Sequence, residues 1–144
     1  DNGVRVVVIG QRSRFPEHLL KTIKTIEEKT KDNKKLILNL LFCYGGQQEI
    51  TDAVATISRK VLKGEIDPDS INPTTIQQHL WTHESPNPDL IVRTGGQQRL
   101  SNFLPWQSTY SELLFIEKYW PALTKDDFYA IIKEFEQRKR NFGK

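Results

Sequence analysis

Along the chain, short apolar runs alternate with stretches in which apolar residues recur every three or four positions. Val4-Arg5-Val6-Val7-Val8-Ile9-Gly10 is β-branched and almost continuously apolar, the pattern of a strand buried on both faces. Pro16 then suits a first helical turn, and Leu19, Leu20, Ile23 and Ile26 follow at helical spacing, with lysines and glutamates on the solvated face. A second buried strand is expected from Leu36 through Tyr44, ending at Gly45-Gly46. The next helix places Ile50, Val54, Ile57 and Val61 on one stripe, with Gly64 as its C-terminal cap. Glu65 to Ser70 reads as a loop, and Asn72-Pro73 as the cap and first turn of a short helix bearing Ile76 and Leu80. Leu90-Ile91-Val92 is a third strand and Leu113-Leu114-Phe115-Ile116 a fourth; between them Ser101 is expected to cap a brief helix limited by Pro105. Thr124, with Asp127 three residues on, predicts a capping box for a final helix bearing Phe128, Ile131, Ile132 and Phe135.

Strands alternating with helices imply an α/β fold with a mostly parallel sheet and flanking helices. No repeat or low-complexity tract divides the pattern, so residues 1–144 read as a single domain. Hydrophobic residues make up 37% and charged residues 27%, which excludes a disordered chain. The net charge of +3 is spread out, and the aromatic residues sit in apolar patterns; this suits anionic small molecules and disfavours nucleic acid. The single cysteine, Cys43, excludes an internal disulfide and fits a reducing compartment. No apolar run approaches the roughly 18 residues of a membrane span, and no secretory signal is visible. The chain opens at Asp1 and contains no methionine, so the expectation is that an amino-terminal portion is absent.

In an open parallel sheet, ligands gather beyond the carboxyl ends of the strands. Three strands end in loops rich in glycine or arginine: Gly10 to Arg14, Tyr44-Gly45-Gly46, and Arg93 to Arg99. In the third, Arg93 and Arg99 offer forked donors matching phosphate oxygens, Gly95-Gly96 lets backbone amides approach an anion, and Ser101 adds a hydroxyl. This is either a pyrophosphate cradle or a plain turn flanked by solvated arginines. Glu112, opening a buried strand, either faces water or an arginine, or binds a metal bridging phosphate oxygens. His18, His79 and His83 have no metal-ligand spacing and read as surface or helix-edge residues, while Cys43 reads as a buried, inert thiol. Trp106, Tyr110, Phe115, Tyr119 and Trp120 form an aromatic tract suited to core or interface packing, or to lining an apolar channel.

The tract Asp89-Leu90-Ile91-Val92-Arg93-Thr94-Gly95-Gly96, then Arg99-Leu100-Ser101-Asn102-Phe103-Leu104, Trp106-Gln107, Tyr110 and Glu112-Leu113 closely resembles the carboxyl-terminal signature of cis-prenyltransferases, nearest to bacterial undecaprenyl diphosphate synthases. Val8-Ile9-Gly10 with Ser13-Arg14-Phe15, the Tyr44-Gly45-Gly46 helix entry, Gln78-His79-Leu80 and the closing Arg138-Lys139-Arg140-Asn141-Phe142-Gly143 extend the resemblance along the chain. It implies the carboxyl-terminal portion of an undecaprenyl diphosphate synthase-like fold, lacking its amino-terminal part. It also implies a homodimeric, Mg2+-dependent enzyme of the cytoplasm, peripheral at the membrane through its lipid product and serving cell-wall biogenesis. The implied reaction adds isopentenyl diphosphate to an allylic diphosphate such as farnesyl diphosphate, giving an undecaprenyl-type polyprenyl diphosphate. Arg93, Arg99 and Ser101 match the residues that hold isopentenyl diphosphate, Arg14 is a further candidate for substrate binding, and Glu112 matches the carboxylate that helps place magnesium. Gln97, Cys43, Gln47 and Asn141 depart from the family's usual Glu, Asn, Arg and Arg. The family's catalytic aspartate loop, Asp-Gly-Asn-Gly-Arg-Trp, has no counterpart in these residues, so the 144 residues alone are expected to be inactive. Two other readings stay open: a non-catalytic subunit of a heteromeric cis-prenyltransferase, and a general nucleotide-binding α/β module.

Overall fold

The computed structural model describes residues 2–138. By packing, the chain divides at Ser85–Pro86 into two compact units, each treated by itself below.

The first unit holds two parallel strands, β1 (Val4–Ile9) and β2 (Leu36–Leu41), in register from Val4 opposite Leu36 to Ile9 opposite Leu41. Helix α1 (Glu17–Thr30) connects them, and Val8, Phe15 and Ile23 form a buried cluster against which Leu19 and Leu20 pack. Gly10 ends β1 at φ +147°, where a Cβ would lie 1.9 Å from the carbonyl oxygen of Phe42. Only glycine permits that approach of the two strand ends. A 3-10 turn at Arg12–Arg14 follows, and the Phe15 ring meets the Phe42 ring edge-on at 5.1 Å.

Strand β2 differs from expectation. It is shorter than Leu36–Tyr44, and it is not buried: Leu36 is 58% and Leu40 47% exposed. Helix α1 covers β1, leaving the apolar side chains of β2 uncovered. Helix α2 (Gly46–Leu62) starts where the Gly-Gly pair predicts and buries Ala53 and Ile57. Gly64 at φ +72° closes its C-terminal turn, with its N–H donating to Val61 at 2.9 Å. The expected loop contains a 3-10 turn at Pro68–Ser70, and α3 (Pro73–Gln77) opens on a capping box formed by Asn72 and Thr75. Leu80, 1% exposed, anchors the segment after α3.

The second unit pairs β3 (Leu90–Thr94) with β4 (Glu112–Ile116), again in parallel, with Leu90 opposite Glu112. Ile91 and Leu114 are its buried strand residues. A 3-10 turn at Trp120–Ala122 leads to α4 (Lys125–Gln137), whose capping box is the predicted Thr124–Asp127 pair. Hydrogen bonds from Lys118 and then from the Thr124 hydroxyl and N–H hold the Asp127 carboxyl well below the usual carboxylate range. The closing run from Lys139, with the Asn141 departure, lies outside the described residues.

Candidate functional site

Strand β3 runs directly into Gly95 and Gly96, at φ +84° and +73°. Both sites are crowded: a Cβ on Gly95 would meet the Tyr119 ring at 3.3 Å, and one on Gly96 the Glu117 carboxylate at 3.0 Å. Their N–H groups donate to the carbonyls of Lys118 (2.9 Å) and Ile116 (3.0 Å). The expectation that these amides face an anion is therefore corrected, because the chain leaving β4 already takes them.

The side chains converge instead. The Arg93 guanidinium donates to Ser101 Oγ at 2.9 Å and to the backbone carbonyl of Arg99. Arg99, exposed, donates to Gln97 Oε1 at 2.5 Å, so the Gln97 departure lies within reach of an arginine expected to meet phosphate. Ser101 does not cap a helix. Ser101, Asn102 and Leu104 have φ of 50°, 65° and 49°, and residues 101–110 form successive turns. A left-handed residue breaks a right-handed helix at its first turn, and the Ser101 hydroxyl is engaged by Arg93. Arg93, Arg99 and Ser101 thus share one loop, shaped by one arginine with a second on its exposed side.

Glu112, half-buried at the start of β4, accepts from Arg138 at 3.0 Å. Arg138 also donates to the Leu113 carbonyl at 3.1 Å and to Glu134 at 2.8 Å; the Glu134 bond first, then that to Glu112, raises its pKa above the usual guanidinium value. Among the described residues no group of three or more His, Cys, Asp or Glu could hold a metal ion. Glu112 is thus a single carboxylate, an oxygen donor of the kind a hard cation such as Mg2+ takes together with ligands from outside the protein. In the first unit, Arg14 is exposed at the end of its 3-10 turn, while Arg12 is engaged by Glu27 and the Val8 carbonyl.

Of the remaining sequence candidates, one stands elsewhere than the sequence suggests. Cys43 is exposed rather than buried, since its left-handed φ of 47° turns the chain away from the strand. Tyr110, Tyr119 and Trp120 of the aromatic tract are exposed, whereas Trp106 and Phe115 are half-buried. His18 and His83 are exposed, and His79 lies between Lys60 Nζ and the Thr75 carbonyl.

The residue missed is Glu49. In the first turn of α2 it is fully buried, accepting from the Tyr44 hydroxyl at 2.5 Å and from the Thr82 N–H and hydroxyl at 2.9 Å each. It ties the Tyr44-Gly45-Gly46 entry to the segment after α3. Its one sequence signal is an acidic side chain in a helix's first turn, where the dipole favours it. The first unit also contains a cleft of about 880 Å³ between the odd-numbered residues of its sheet and α2.

Comparison with known proteins gives a consistent answer. The family model for undecaprenyl diphosphate synthases matches residues 1–143. The tritrans,polycis-undecaprenyl-diphosphate synthase (geranylgeranyl-diphosphate specific) of Methanocaldococcus jannaschii is 48% identical over 98% of this chain and 51% of that protein. An isoprenyl transferase of Oceanobacillus iheyensis is 42% identical over 99% of the chain and 57% of its own length. Lavandulyl diphosphate synthase from Lavandula x intermedia, solved with dimethylallyl diphosphate, superposes with a TM-score of 0.95 at 36% identity, over 98% of this chain and 61% of that one. The chain spans about half the length of the curated relatives it matches.

Proposed function

Because this chain belongs to the undecaprenyl diphosphate synthase family, we propose that it supplies the isopentenyl-diphosphate-binding part of a cis-prenyl chain-elongating enzyme. The observation behind this is the loop beyond β3, where Arg93 is bonded to Ser101 and Arg99 stands exposed beside it. Two guanidiniums and a hydroxyl match the oxygens of a diphosphate in charge and number. In the proposed reaction a carbon–carbon bond forms between the terminal alkene carbon of isopentenyl diphosphate and C1 of the allylic partner. The allylic diphosphate leaves with its bonding pair, and the isopentenyl unit loses a proton. The role of Arg93, Arg99 and Ser101 is to hold the isopentenyl diphosphate still while this occurs. Arg14 belongs to the same proposal as an exposed cation for substrate phosphate.

Glu112 would hold Mg2+, exchanging its Arg138 partner for the ion. The ion would supply charge neutralisation at a diphosphate. The allylic primer is farnesyl or geranylgeranyl diphosphate, the latter suggested by the archaeal relatives' names. Homodimeric assembly, a cytoplasmic location and an undecaprenyl-type product are further parts of the proposal. No described helix is long and apolar enough to cross a membrane.

Calorimetric titration of the 144-residue chain with isopentenyl diphosphate, inorganic pyrophosphate and ATP tests the reading. Arg93→Ala and Ser101→Ala should weaken isopentenyl diphosphate binding, by about 10- to 100-fold for the arginine, with the circular dichroism unchanged. Equal affinity of wild type and Arg93→Ala, or a preference for ATP, would sink it.

A further inference from the structure

The Gly95-Gly96 turn lies between Arg93 and its partners Arg99 and Ser101, so the shape of the turn decides where the two guanidiniums stand. Glycine visits many backbone conformations, and a Gly-Gly turn keeps one shape only when something outside it imposes that shape. Here the chain leaving β4 does so. The Gly95 N–H donates to the Lys118 carbonyl at 2.9 Å and the Gly96 N–H to the Ile116 carbonyl at 3.0 Å. The Tyr119 ring and the Glu117 carboxylate stand beside the two glycines, close enough to crowd a Cβ on either.

The segment that imposes the shape has to be held in turn. Glu117, Lys118, Tyr119 and Trp120 are all exposed, so burial does not fix it. Among the described residues, Lys118 alone of these four has a side chain that hydrogen-bonds. Its Nζ donates to both carboxylate oxygens of Asp127, at 2.6 and 2.8 Å. Asp127 is itself fixed by the capping box of α4. Its Oδ2 accepts from the Thr124 N–H at 2.8 Å and from the Thr124 hydroxyl at 2.7 Å, and its own N–H donates to Thr124 Oγ1 at 3.2 Å. Hydrogen bonds therefore run without a break from the first turn of α4, through Asp127 and Lys118, to the Gly95 amide two residues beyond Arg93.

Stability does not account for this link. An exposed ion pair adds little to it, and Thr124 with Asp127 completes the cap without Lys118. What two short charge-assisted bonds from one ammonium do supply is a fixed position for the backbone that carries it.

We propose that Lys118 and Asp127 are positioning residues for diphosphate binding: by fixing the segment after β4 they hold the Gly95-Gly96 turn, and with it Arg93, Arg99 and Ser101, in the shape that takes the anion. Their role rests on the diphosphate reading of that loop and deepens it, since neither side chain touches the substrate.

Calorimetry with isopentenyl diphosphate on the 144-residue chain compares Lys118→Met, Asp127→Asn and Lys118→Arg, with Arg93→Ala in parallel. Lys118→Met leaves the capping box intact, and Asp127→Asn keeps an amide oxygen for Thr124. One removes a positive charge and the other a negative charge, so charge alone would shift anion affinity in opposite directions. Positioning predicts a loss of about three- to tenfold in both. Lys118→Arg, which keeps the ion pair, should stay within about twofold of wild type. Exchange of the Gly95 and Gly96 amides should quicken by about tenfold in the two weakened variants, with the Ile131 amide inside α4 unchanged. Affinity shifts of opposite sign, unaltered exchange at the two glycines, or wild-type affinity in both variants beside a clear loss in Arg93→Ala would overturn this proposal alone. Wild-type affinity in Arg93→Ala would overturn the diphosphate reading and the positioning role together.

Discussion

Glu49 sits with no exposed surface, and three donors meet its carboxylate: the Tyr44 hydroxyl at 2.5 Å and the N–H and hydroxyl of Thr82 at 2.9 Å. Glu49→Ala removes the acceptor and strands two donors on Thr82, itself buried. A buried polar group left unsatisfied costs about 1–3 kcal/mol. Tyr44 and Thr82 each keep other interactions, and losing a buried carboxylate also relieves some desolvation. The expected loss is therefore about 2–4 kcal/mol. Glu49→Gln keeps an amide oxygen for Thr82 and should cost about half as much. Urea unfolding at neutral pH measures both, with tryptophan fluorescence reporting through Trp81, whose ring lies 6.1 Å from that of Tyr44. A loss below about 1 kcal/mol for alanine, or glutamine as damaging as alanine, would refute the reasoning.

Two other outcomes are expected. Gly10→Ala forces a Cβ to within 1.9 Å of the Phe42 carbonyl oxygen, a backbone atom that cannot step aside. It should cost about 3 kcal/mol or more in urea unfolding, and a midpoint like wild type would contradict it. Burial pushes the Glu27 carboxyl up, but the Arg12 hydrogen bond, the Val8 N–H and the Arg12 charge outweigh it and hold its pKa below the ordinary 4.5. A depressed folded-state pKa gives stability that is complete above the unfolded value and lost as pH falls through the folded one. Melting temperature should thus fall more steeply below about pH 4.5 in wild type than in Glu27→Gln; parallel curves would show that Glu27 contributes nothing.

Periodicity made the four α-helices and all four strands legible, because each stripe and cap is a local property. Asn72-Pro73 and Thr124–Asp127 became the capping boxes their spacing announces. Burial was less legible: an apolar run states what a strand needs, not what covers it, and β2 lacks that cover. The division at Ser85 is absent from the hydrophobic pattern, although Pro86-Asn87-Pro88 marks the place. At the candidate site, residue types singled out Arg93, Arg99 and Ser101, which the structure places in one loop. The destination of the Gly95 and Gly96 amides depended on where the chain runs after β4, which spacing within the loop does not encode. Glu49 stayed hidden because its partner Thr82 is distant in sequence.

The boundary at Ser85–Pro86 also bears on how the chain emerges during synthesis. Each strand pairing closes inside one unit, Val4 opposite Leu36 in the first and Leu90 opposite Glu112 in the second. Translation at roughly 5–20 residues per second leaves seconds between completion of the first unit and arrival of the second. A hairpin forms in roughly microseconds and a small mixed domain in milliseconds to seconds. The first ladder can therefore be in place at the ribosome exit before the arginine loop of the second unit has been made.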